Sequence, residues 1–303
     1  MDGARLLVVD GHAYAYRAFH AIRSLKAPDG VPSNGLFGFI KAVERLRLAV
    51  DATHGAVIWD GGLAAERVAI CPGYKAQRPP MPQALADQID PMQAWLGAWG
   101  MRSICQEGVE ADDLIGSLAT RASGEGARVF IASSDKDFMQ LVSDTVAMVN
   151  PNDPEPVPWD DARVVGKTGV HPAQIVDWLS LIGDSVDNIP GVPGVGTKTA
   201  TALLTQFGSW EAIRQNSSAI ESARIRAAVE SSTELVARNI EMIRLRCDLE
   251  GCGSLNDCAY SEPDRAALAV FYRRWGFRSL LAGVEDAKVK AEMQPDLFAV
   301  AAN

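Results

Sequence analysis

Short apolar runs alternate with longer stretches of helical periodicity over the first half of the chain. The clearest runs are Leu6–Val9, Ala56–Trp59 and Val129–Ala132, and two weaker ones are Met101–Cys105 and Val146–Val149. Runs that are apolar at every position and are separated by helices indicate parallel strands buried on both faces. The pattern therefore predicts an α/β fold, with a mainly parallel, twisted sheet and helices on both faces.

Helical spacing of apolar residues is clearest in Leu36–Val50 and Leu85–Trp99. From about Pro172 the chain is helical throughout, and the last predicted helix covers Pro263–Leu281. We therefore predict an α/β domain over residues 1–172, an all-helical domain over residues 173–284, and a flexible tail over residues 285–303.

Composition is ordinary for a globular protein, with 48% hydrophobic and 22% charged residues. The five cysteines have no paired spacing, which indicates a reducing compartment. The sequence shows neither a secretory signal nor an apolar run of the ~20 residues that span a bilayer. It predicts a cytoplasmic protein without membrane contact.

The formal net charge of −9 argues against nucleic acid as a partner by simple rules. The distribution of the acids changes that view, because cations would neutralise acids gathered in one metal site. Three predicted strands end in, or just before, an aspartate, and the carboxyl ends of parallel strands share one edge of a sheet. A single such aspartate is usually a turn or a helix cap. The three aspartates are Asp10, Asp60 and Asp135.

Three further carboxylates lie within four residues at the predicted start of a helix, at Glu110, Asp112 and Asp113. A capping cluster on a solvated helix start explains this stretch alone equally well. Together with the strand-end acids, it favours a shared site. The nine candidate carboxylates are Asp10, Asp60, Glu110, Asp112, Asp113, Asp135, Asp137, Asp184 and Asp187.

Nine converging carboxylates require cations. Two like charges ~4 Å apart repel by about 4 kcal/mol at an effective dielectric of 20. Ligand sets made only of oxygen favour Mg²⁺ or Mn²⁺. Two such ions ~4 Å apart clamp the attacking and leaving oxygens of a phosphodiester. The acids therefore indicate a site with two or more divalent ions.

Cations gather in a Pro- and Gly-containing segment after Asp60, where Arg67, Lys75 and Arg78 accompany Tyr74. Such a mixture suits a nucleic-acid backbone with a stacked base, although an ordinary exposed loop is the alternative. Arg17, close in sequence to Asp10, is a further candidate for a phosphate contact.

A helix–hairpin–helix pattern follows the last acids. Its glycines allow close backbone approach, and the next helix offers N–H groups to a phosphate without reading base sequence. The alternative is a simple glycine turn that ends a helix. The candidate DNA-binding residues are Gly191, Gly194, Val195, Gly196, Thr197, Lys198 and Thr199.

Several segments, in the same order, resemble the 5′-nuclease family, which includes the 5′→3′ exonuclease domain of bacterial DNA polymerase I and the phage flap endonucleases. The resemblance runs from about Leu6 to Leu281. The segments that carry it are Leu7–Gly11, Tyr16–His20, Trp59–Asp60, Gly73–Arg78, Glu110–Asp113, Ser134–Asp137, Gly183–Asn188 and the hairpin glycines.

The resemblance implies a PIN-like core and a structure-specific 5′ nuclease of replication or repair. Such an enzyme cleaves DNA as a 5′→3′ exonuclease and 5′-flap endonuclease by a two-metal mechanism, leaving a 5′-phosphate and a 3′-hydroxyl. Asp113 would be shared between the two metal groups or would lie in the outer coordination sphere. The first metal group would be Asp10, Asp60, Glu110 and Asp112, and the second would be Asp135, Asp137, Asp184 and Asp187.

The resemblance also implies a helical arch near residues 66–84. Lys75 and Arg78 at its base would stabilise charge on the scissile phosphate, joined by Arg17, and Tyr74 would stack on a base of the frayed end. It further implies a K⁺ ion at the hairpin, branched or nicked DNA with a 5′ end (RNA-primed ends included) as the partner, and a monomer.

Two departures qualify the resemblance. No polymerase domain follows, so the chain is either a stand-alone nuclease or a fragment. The predicted tail carries Gln294, Leu297 and Phe298 in a spacing that resembles the short bacterial motif that docks into the sliding clamp.

Two other functions remain open from the sequence. A non-catalytic protein that binds branched DNA or a clamp would keep the carboxylates without turnover, and Lys75 and Arg78 argue against it. A PIN-like ribonuclease would share the acidic sheet edge, and the hairpin with the predicted arch cations disfavours it.

Overall fold

The core is a five-stranded parallel sheet with strand order β3-β2-β1-β4-β5. The computed structural model describes residues 3–153 and 155–293, with residues 286–293 as backbone only. All five apolar runs, including the two weaker ones, form strands, so the predicted parallel sheet is confirmed. The strands are β1 (Arg5–Asp10), β2 (His54–Trp59), β3 (Arg102–Cys105), β4 (Arg128–Ala132) and β5 (Val146–Val149).

The central strand β1 pairs with β2 and β4, and Val8 lies level with Ala56 on one side and Ile131 on the other. Both faces of the sheet are covered by helices, as the continuous apolar runs predict. The helices of this first part are α1 (Gly11–Ala21), α2 (Asn34–Ala49), α3 (Ala65–Ile70), α4 (Gln83–Trp99) and α5 (Ala111–Gly124).

Alternate strand residues divide the core into two clusters. Leu7, Val57 and Phe130 point towards α1, α2 and α4, whereas Leu6 and Ile131 point towards α5. The α5 cluster continues without interruption into the helical second half of the chain. Within that half, a two-stranded ribbon pairs Gly183–Asp184 with Ile189–Pro190. The helices of this second half are α6 (Asp161–Thr168), α7 (Ile175–Ile182), α8 (Thr197–Phe207), α9 (Trp210–Gln215), α10 (Ala223–Ser231) and α11 (Thr233–Ile243).

The chain then returns to the α/β part through α12 (Arg265–Trp275) and α13 (Arg278–Met293). Leu268, Tyr272 and Leu280 join the core cluster of α1, α2 and α4. The Trp95 indole Nε1 donates a buried 2.9 Å hydrogen bond to the Tyr272 hydroxyl. The last two helices therefore close the face of the sheet opposite α5.

The end of the described chain corrects two predictions. The single helix predicted over Pro263–Leu281 is two helices, because Gly276 adopts a left-handed conformation that ends α12. The flexible tail predicted from residue 285 is wrong up to Met293, because α13 continues and Arg273 binds Glu285 at 2.7 Å. The motif residues Gln294, Leu297 and Phe298 lie outside the described residues. Within residues 3–153 and 155–293, no helix has both the length and the apolar character to cross a bilayer.

Candidate active site

Six of the nine predicted carboxylates line one cavity of about 440 Å³ at the carboxyl ends of the strands. The same cavity is lined by three cations, Lys75, Arg78 and Lys136. The predicted convergence of the strand-end acids is therefore observed. The six carboxylates are Asp10, Asp60, Asp112, Asp135, Asp184 and Asp187.

The strand-end aspartates also organise the local backbone. Asp10 Oδ1 accepts a 3.0 Å hydrogen bond from the Ala13 amide at the start of α1, and Asp10 Oδ2 accepts one of 2.8 Å from the Ser133 hydroxyl. Asp135 likewise caps the 3₁₀ turn of Lys136–Leu141. These side chains are therefore helix caps and cavity walls together, and the two interpretations of the sequence do not exclude each other.

The carboxylates of the cavity repel one another strongly. Burial raises the pKa of Asp10 to about 6. Burial and neighbouring carboxylates raise the pKa of Asp112 and of Asp137 well above the ordinary value, and burial raises that of Asp135. Asp137, which lies behind the cavity wall, has a buried Oδ1 without a hydrogen-bond partner. Additional positive charge would therefore stabilise this cluster.

Part of that positive charge is supplied by the protein. Lys136 Nζ lies 3.1 Å from Asp184 Oδ2, and Arg78 Nη2 lies 2.5 Å from Asp187 Oδ1. Sequence reasoning missed Lys136, although its position between Asp135 and Asp137 was a visible signal. These contacts reduce the repulsion between the second-half acids and those at the sheet edge.

Residues 72–78 fold against the segment that carries Asp187. The Lys75 amide donates to the Asp187 carbonyl at 3.2 Å, and Asn188 Nδ2 donates to the Gly73 carbonyl at 2.8 Å. Lys75 and Asn188 have φ values of 53° and 59°, which are uncommon for residues other than glycine. The segment is thus held in a specific conformation, and the helical arch predicted near residues 66–84 is not observed.

The helix in this region is the six-residue α3, followed by turns up to residue 77. The prediction of an arch was wrong for this conformation because the cations of the segment find acidic partners within the protein. Arg67, predicted as a candidate backbone contact for nucleic acid, is only 6% exposed and is paired with Glu110 and Asp113.

Glu110 and Tyr74 are placed differently from their predicted roles. Glu110 is 1% exposed and does not line the cavity, and its Oε2 contacts Arg67 Nη1 at 2.6 Å and Lys75 Nζ at 3.1 Å. Tyr74 is 5% exposed and donates its hydroxyl to Glu110 Oε2 at 3.1 Å. The prediction that Tyr74 stacks on a base is therefore wrong for this conformation, because its ring is enclosed by the protein.

Asp113 and Arg17 also lie outside the acidic cavity. Asp113 is 2% exposed and forms a two-pronged ion pair with Arg67, so its predicted role as a shared or outer-sphere metal ligand stays a prediction. Arg17 donates to Asn152 Oδ1 at 2.6 Å and lines a separate cavity between α1, α2 and residues 150–153 and 156. In this conformation Arg17 does not join Lys75 and Arg78, because α1 directs it to that other cavity.

The glycine-rich hairpin follows the acidic ribbon directly. A Cβ on Gly191 would lie 2.3 Å from the backbone of Ile182, so this close approach requires glycine. The start of α8 has no side-chain cap, which leaves exposed N–H groups around Thr197 and Lys198. The Val195 side chain is buried and its amide donates to the Val192 carbonyl at 3.0 Å, so neither group is free for a phosphate in this conformation.

The hairpin has a basic neighbour that sequence reasoning did not identify. A Cβ on Gly194 would lie 2.1 Å from Nη1 of Arg224, so this exposed arginine lies directly over the turn. Together with Lys198, it gives the hairpin a positive face of the kind that attracts phosphates.

The cavity has donors suited to hard divalent ions, but they are not arranged as a finished metal site. Among residues 3–153 and 155–293, no three carboxylate, imidazole or thiol groups are placed to hold one ion. The donor set is nevertheless all oxygen, its carboxylates repel one another, and Asp137 Oδ1 lacks a partner. The residues therefore fit divalent ions if Lys75, Arg78 and Lys136 change partners.

Two family models together match nearly the whole described chain. A model described as 5′-3′ exonuclease, N-terminal resolvase-like domain, matches residues 5–169, and one described as 5′-3′ exonuclease, C-terminal SAM fold, matches residues 170–266. The chain belongs to the 5′-3′ exonuclease family. Members of this family are nucleases, so the predicted family and the enzyme class of hydrolase are confirmed.

Individual members of the 5′-3′ exonuclease family resemble the chain over nearly its full length. The 5′-3′ exonuclease of Aquifex aeolicus is 35% identical, covering 92% of this chain and 95% of the relative. DNA polymerase I of Pseudomonas aeruginosa is 36% identical over 93% of this chain. The chain spans only 31% of the length of that polymerase.

Solved structures show the same fold at lower sequence identity. T5 5′-exonuclease with bound divalent metal ions (zinc) has a TM-score of 0.68 and 21% identity, covering 93% of this chain and 98% of that one. The catalytic core of Rad2 in complex with DNA substrate has a TM-score of 0.61 and 14% identity, covering 93% of both chains. The PIN-like α/β core followed by a helical domain is therefore confirmed for this 5′-3′ exonuclease family member.

Proposed function

We propose that this protein is a structure-specific 5′ nuclease that hydrolyses DNA with two or more divalent ions, Mg²⁺ or Mn²⁺. The observation that carries the proposal is the single cavity that gathers six carboxylates and three cations at the sheet edge of a 5′-3′ exonuclease fold. Cleavage would follow the 5′→3′ exonuclease and 5′-flap patterns and leave a 5′-phosphate and a 3′-hydroxyl.

The carboxylates would hold the ions in two groups. Asp10, Asp60 and Asp112, with Glu110 after it leaves Lys75, form the first group, and the second group is Asp135, Asp137, Asp184 and Asp187. When bound, divalent ions lower the pKa of water and stabilise negative charge on the phosphodiester. The protein contributes the fixed positions of these oxygens around one cavity.

The cations of the cavity would then be available to the substrate. Arg78 and Lys136 are 42% and 36% exposed in their side chains, and both now neutralise aspartates. Once ions take over that role, we expect Arg78, Lys136 and Lys75 to contact phosphate oxygens around the scissile bond. We propose that Lys75 and Arg78 stabilise charge on that phosphate, and that Arg17 approaches only after releasing Asn152.

The hairpin would hold duplex DNA on the far side of the acidic ribbon. We propose contacts through the glycine turns Gly191, Gly194 and Gly196, the start of α8 at Thr197–Thr199, and Arg224, with a K⁺ ion at the same turn. These groups bind phosphates without reading bases, which suits branched, nicked or RNA-primed DNA. We further propose a cytoplasmic monomer that acts in replication or repair.

The decisive experiment is cleavage of a labelled 5′-flap DNA by wild-type protein and by Asp135→Asn, with Mg²⁺ and with EDTA. We expect Mg²⁺-dependent products with a 5′-phosphate from the wild type, and a loss of at least about 100-fold in kcat for Asp135→Asn. Asp161→Asn is the matched control, because Asp161 is a 54% exposed carboxylate away from the cavity. A wild-type protein that leaves flap DNA intact would falsify the proposal.

The tail motif supports a separate proposal, that Gln294, Leu297 and Phe298 dock this protein onto a bacterial sliding clamp. Deletion of residues 292–303 is expected to abolish binding to a purified clamp while Mg²⁺-dependent cleavage of flap DNA remains. Clamp binding that survives the deletion would contradict this docking.

A further inference from the structure

The guanidinium group of Arg67 is saturated with hydrogen bonds although it is only 6% exposed. Its Nη1 binds Glu110 Oε2 at 2.6 Å and Asp113 Oδ2 at 2.8 Å, and its Nη2 binds Asp113 Oδ1 at 2.8 Å. The backbone carbonyls of Met242 and Arg244 accept from Nε at 3.0 Å and from Nη2 at 3.4 Å. Five contacts match the five N–H donors of an arginine.

These contacts join parts of the chain that lie far apart in sequence. Arg67 belongs to α3, Glu110 and Asp113 lie at the start of α5, and Met242 and Arg244 lie at the end of α11. The guanidinium group is therefore a direct bridge between the α/β part of the molecule and the helical part.

The helix α5 extends this bridge along one of its faces. Asp113, Ser117 and Arg121 are spaced four residues apart and point to the same side. Asp113 Oδ1 accepts from the Arg246 amide at 3.0 Å, Ser117 Oγ accepts from the Leu249 amide at 3.0 Å, and Arg121 Nη2 donates to the Leu249 carbonyl at 2.9 Å. The segment after α11 is thus held to α5 residue by residue.

The helix α11 connects the same bridge to the ribbon that carries the second group of acids. Asn239 is fully buried, and its Nδ2 donates to the Ser180 carbonyl at 3.0 Å and to the Pro190 carbonyl at 2.7 Å. Pro190 pairs with Gly183 in the ribbon, next to Asp184. One end of α11 is therefore fixed by Arg67 and its middle is fixed to the ribbon.

We propose that Arg67 is a positioning residue that sets the separation between the two groups of carboxylates. It holds Glu110 directly, and it holds Asp184 and Asp187 through the end of α11 and Asn239. Arg67 itself does not line the cavity, so it acts through these residues and not on the substrate. The part of this inference that concerns metal ions rests on the proposed function.

The test replaces Arg67 by lysine, which keeps one positive charge beside Glu110 and Asp113 but cannot supply five directed donors. We expect Arg67→Lys to weaken binding of Mg²⁺ alone, measured by calorimetry without DNA, by about 10-fold to 100-fold, as changes to residues that orient metal ligands do. The kcat for flap DNA should fall with it, while the KM for DNA stays within about twofold.

A second measurement does not depend on metal or activity. Hydrogen exchange of the Arg246 amide, which donates to the Asp113 carboxylate, should accelerate by about tenfold in Arg67→Lys, which corresponds to losing a hydrogen bond to a charged group. Exchange of the Leu249 amide, which donates to the neutral Ser117 hydroxyl, should accelerate by less. Glu66→Gln is the matched control. Glu66 precedes Arg67, and its 3.0 Å pair with Arg246 joins the same two segments, but Glu66 is 72% exposed in its side chain, so its loss should change little.

The outcomes separate this inference from the proposed function. Wild-type exchange rates and Mg²⁺ affinity in Arg67→Lys would overturn the positioning role. If wild-type protein binds no Mg²⁺, the proposed function fails while the exchange data still decide whether Arg67 holds the two parts together. Should Arg67→Lys not fold, Asp113→Asn keeps the shape of that side chain and removes its negative charge. The same acceleration at Arg246 is then expected, and an unchanged rate would refute the bridge.

Discussion

The acidic cavity makes protonation of its carboxylates easier in the folded protein than in the unfolded chain. The pKa of Asp10 is raised to about 6, and the pKa values of Asp112, Asp135 and Asp137 are also raised, in each case mainly by burial. The folded state therefore binds more protons than the unfolded state between the ordinary and the raised pKa values. These carboxylates oppose folding when they are charged and lack a cation.

A pH dependence follows for the metal-free protein. The contribution of Asp10 to stability is fully present below its ordinary pKa of 3.8 and is lost as the pH rises through about 6. We expect the free energy of unfolding in urea with EDTA to fall between about pH 4 and pH 6, and Mg²⁺ to restore it at pH 7. Asp10→Asn should flatten this fall, and a stability that instead rises with pH in EDTA would contradict the expectation.

The hairpin depends more on Gly191 than on Gly196. A Cβ at position 191 would meet the Ile182 backbone at 2.3 Å, and backbone atoms cannot move aside as a flexible side chain does. Gly191→Ala should therefore displace the hairpin from α7 and weaken binding of metal-free protein to nicked duplex DNA by about tenfold, a change of roughly 1.4 kcal/mol. Binding can be followed by fluorescence anisotropy in EDTA.

A control for this substitution lies five residues further on. Gly196 has open space where a Cβ would be placed and an extended backbone, with φ of −101° and ψ of −177°. Gly196→Ala keeps the backbone of the turn, through which the proposed DNA contact is made, and changes only the side chain at the N-cap of α8, so the loss of DNA-binding free energy should stay below about 1 kcal/mol. Equal losses in the two variants would show that the close approach at Gly191 is unimportant.

Elements were predictable from the sequence where local pattern decides them. The continuous apolar runs of β1 and β4 leave few alternatives to buried parallel strands, and their order brings Asp10 and Asp135 to one edge. The start of α5 was visible in the acids before Leu114. That a helix follows Asp113 was also predictable, because the apolar residues after it have helical spacing.

The partners of the cations were not predictable in the same way. Arg67 binds the carbonyl of Met242, which is 175 residues away in sequence, and no local pattern indicates such a contact. The prediction that Tyr74 and Arg67 face a nucleic acid failed for the same reason. A cation-rich segment is expected to be exposed unless the fold brings buried acids such as Glu110 beside it.

The described residues form two cores on opposite sides of one sheet, and the chain passes from the first side to the second and back again. The α5 side continues into helices α7 to α11, and the opposite side is completed by α12 and α13. The last helices thus belong by packing to the first part of the molecule. A separate helical domain that includes residues up to 284, as predicted, does not describe this packing.

The hydrogen bond between Trp95 and Tyr272 tests how strongly α12 and α13 are bound to the α/β part. Tyr272→Phe leaves the buried Trp95 Nε1 without its acceptor, so the free energy of unfolding should fall by about 1–3 kcal/mol. Thermal and urea unfolding measure this loss. Tyr260→Phe is the matched control, because the Tyr260 hydroxyl is buried without a partner and its removal should be neutral or stabilising. A comparable loss in both variants would assign the effect to the ring and not to the hydrogen bond.

The return of α12 onto α4 has a consequence for the protein as it is made. During translation, Trp95 and Leu96 leave the ribosome long before Leu268 and Tyr272, which cover that side of the sheet. At about 5–20 residues per second, the uncovered interval lasts from roughly ten to thirty seconds. A nascent chain paused in this interval presents an aromatic surface of the kind that chaperones capture.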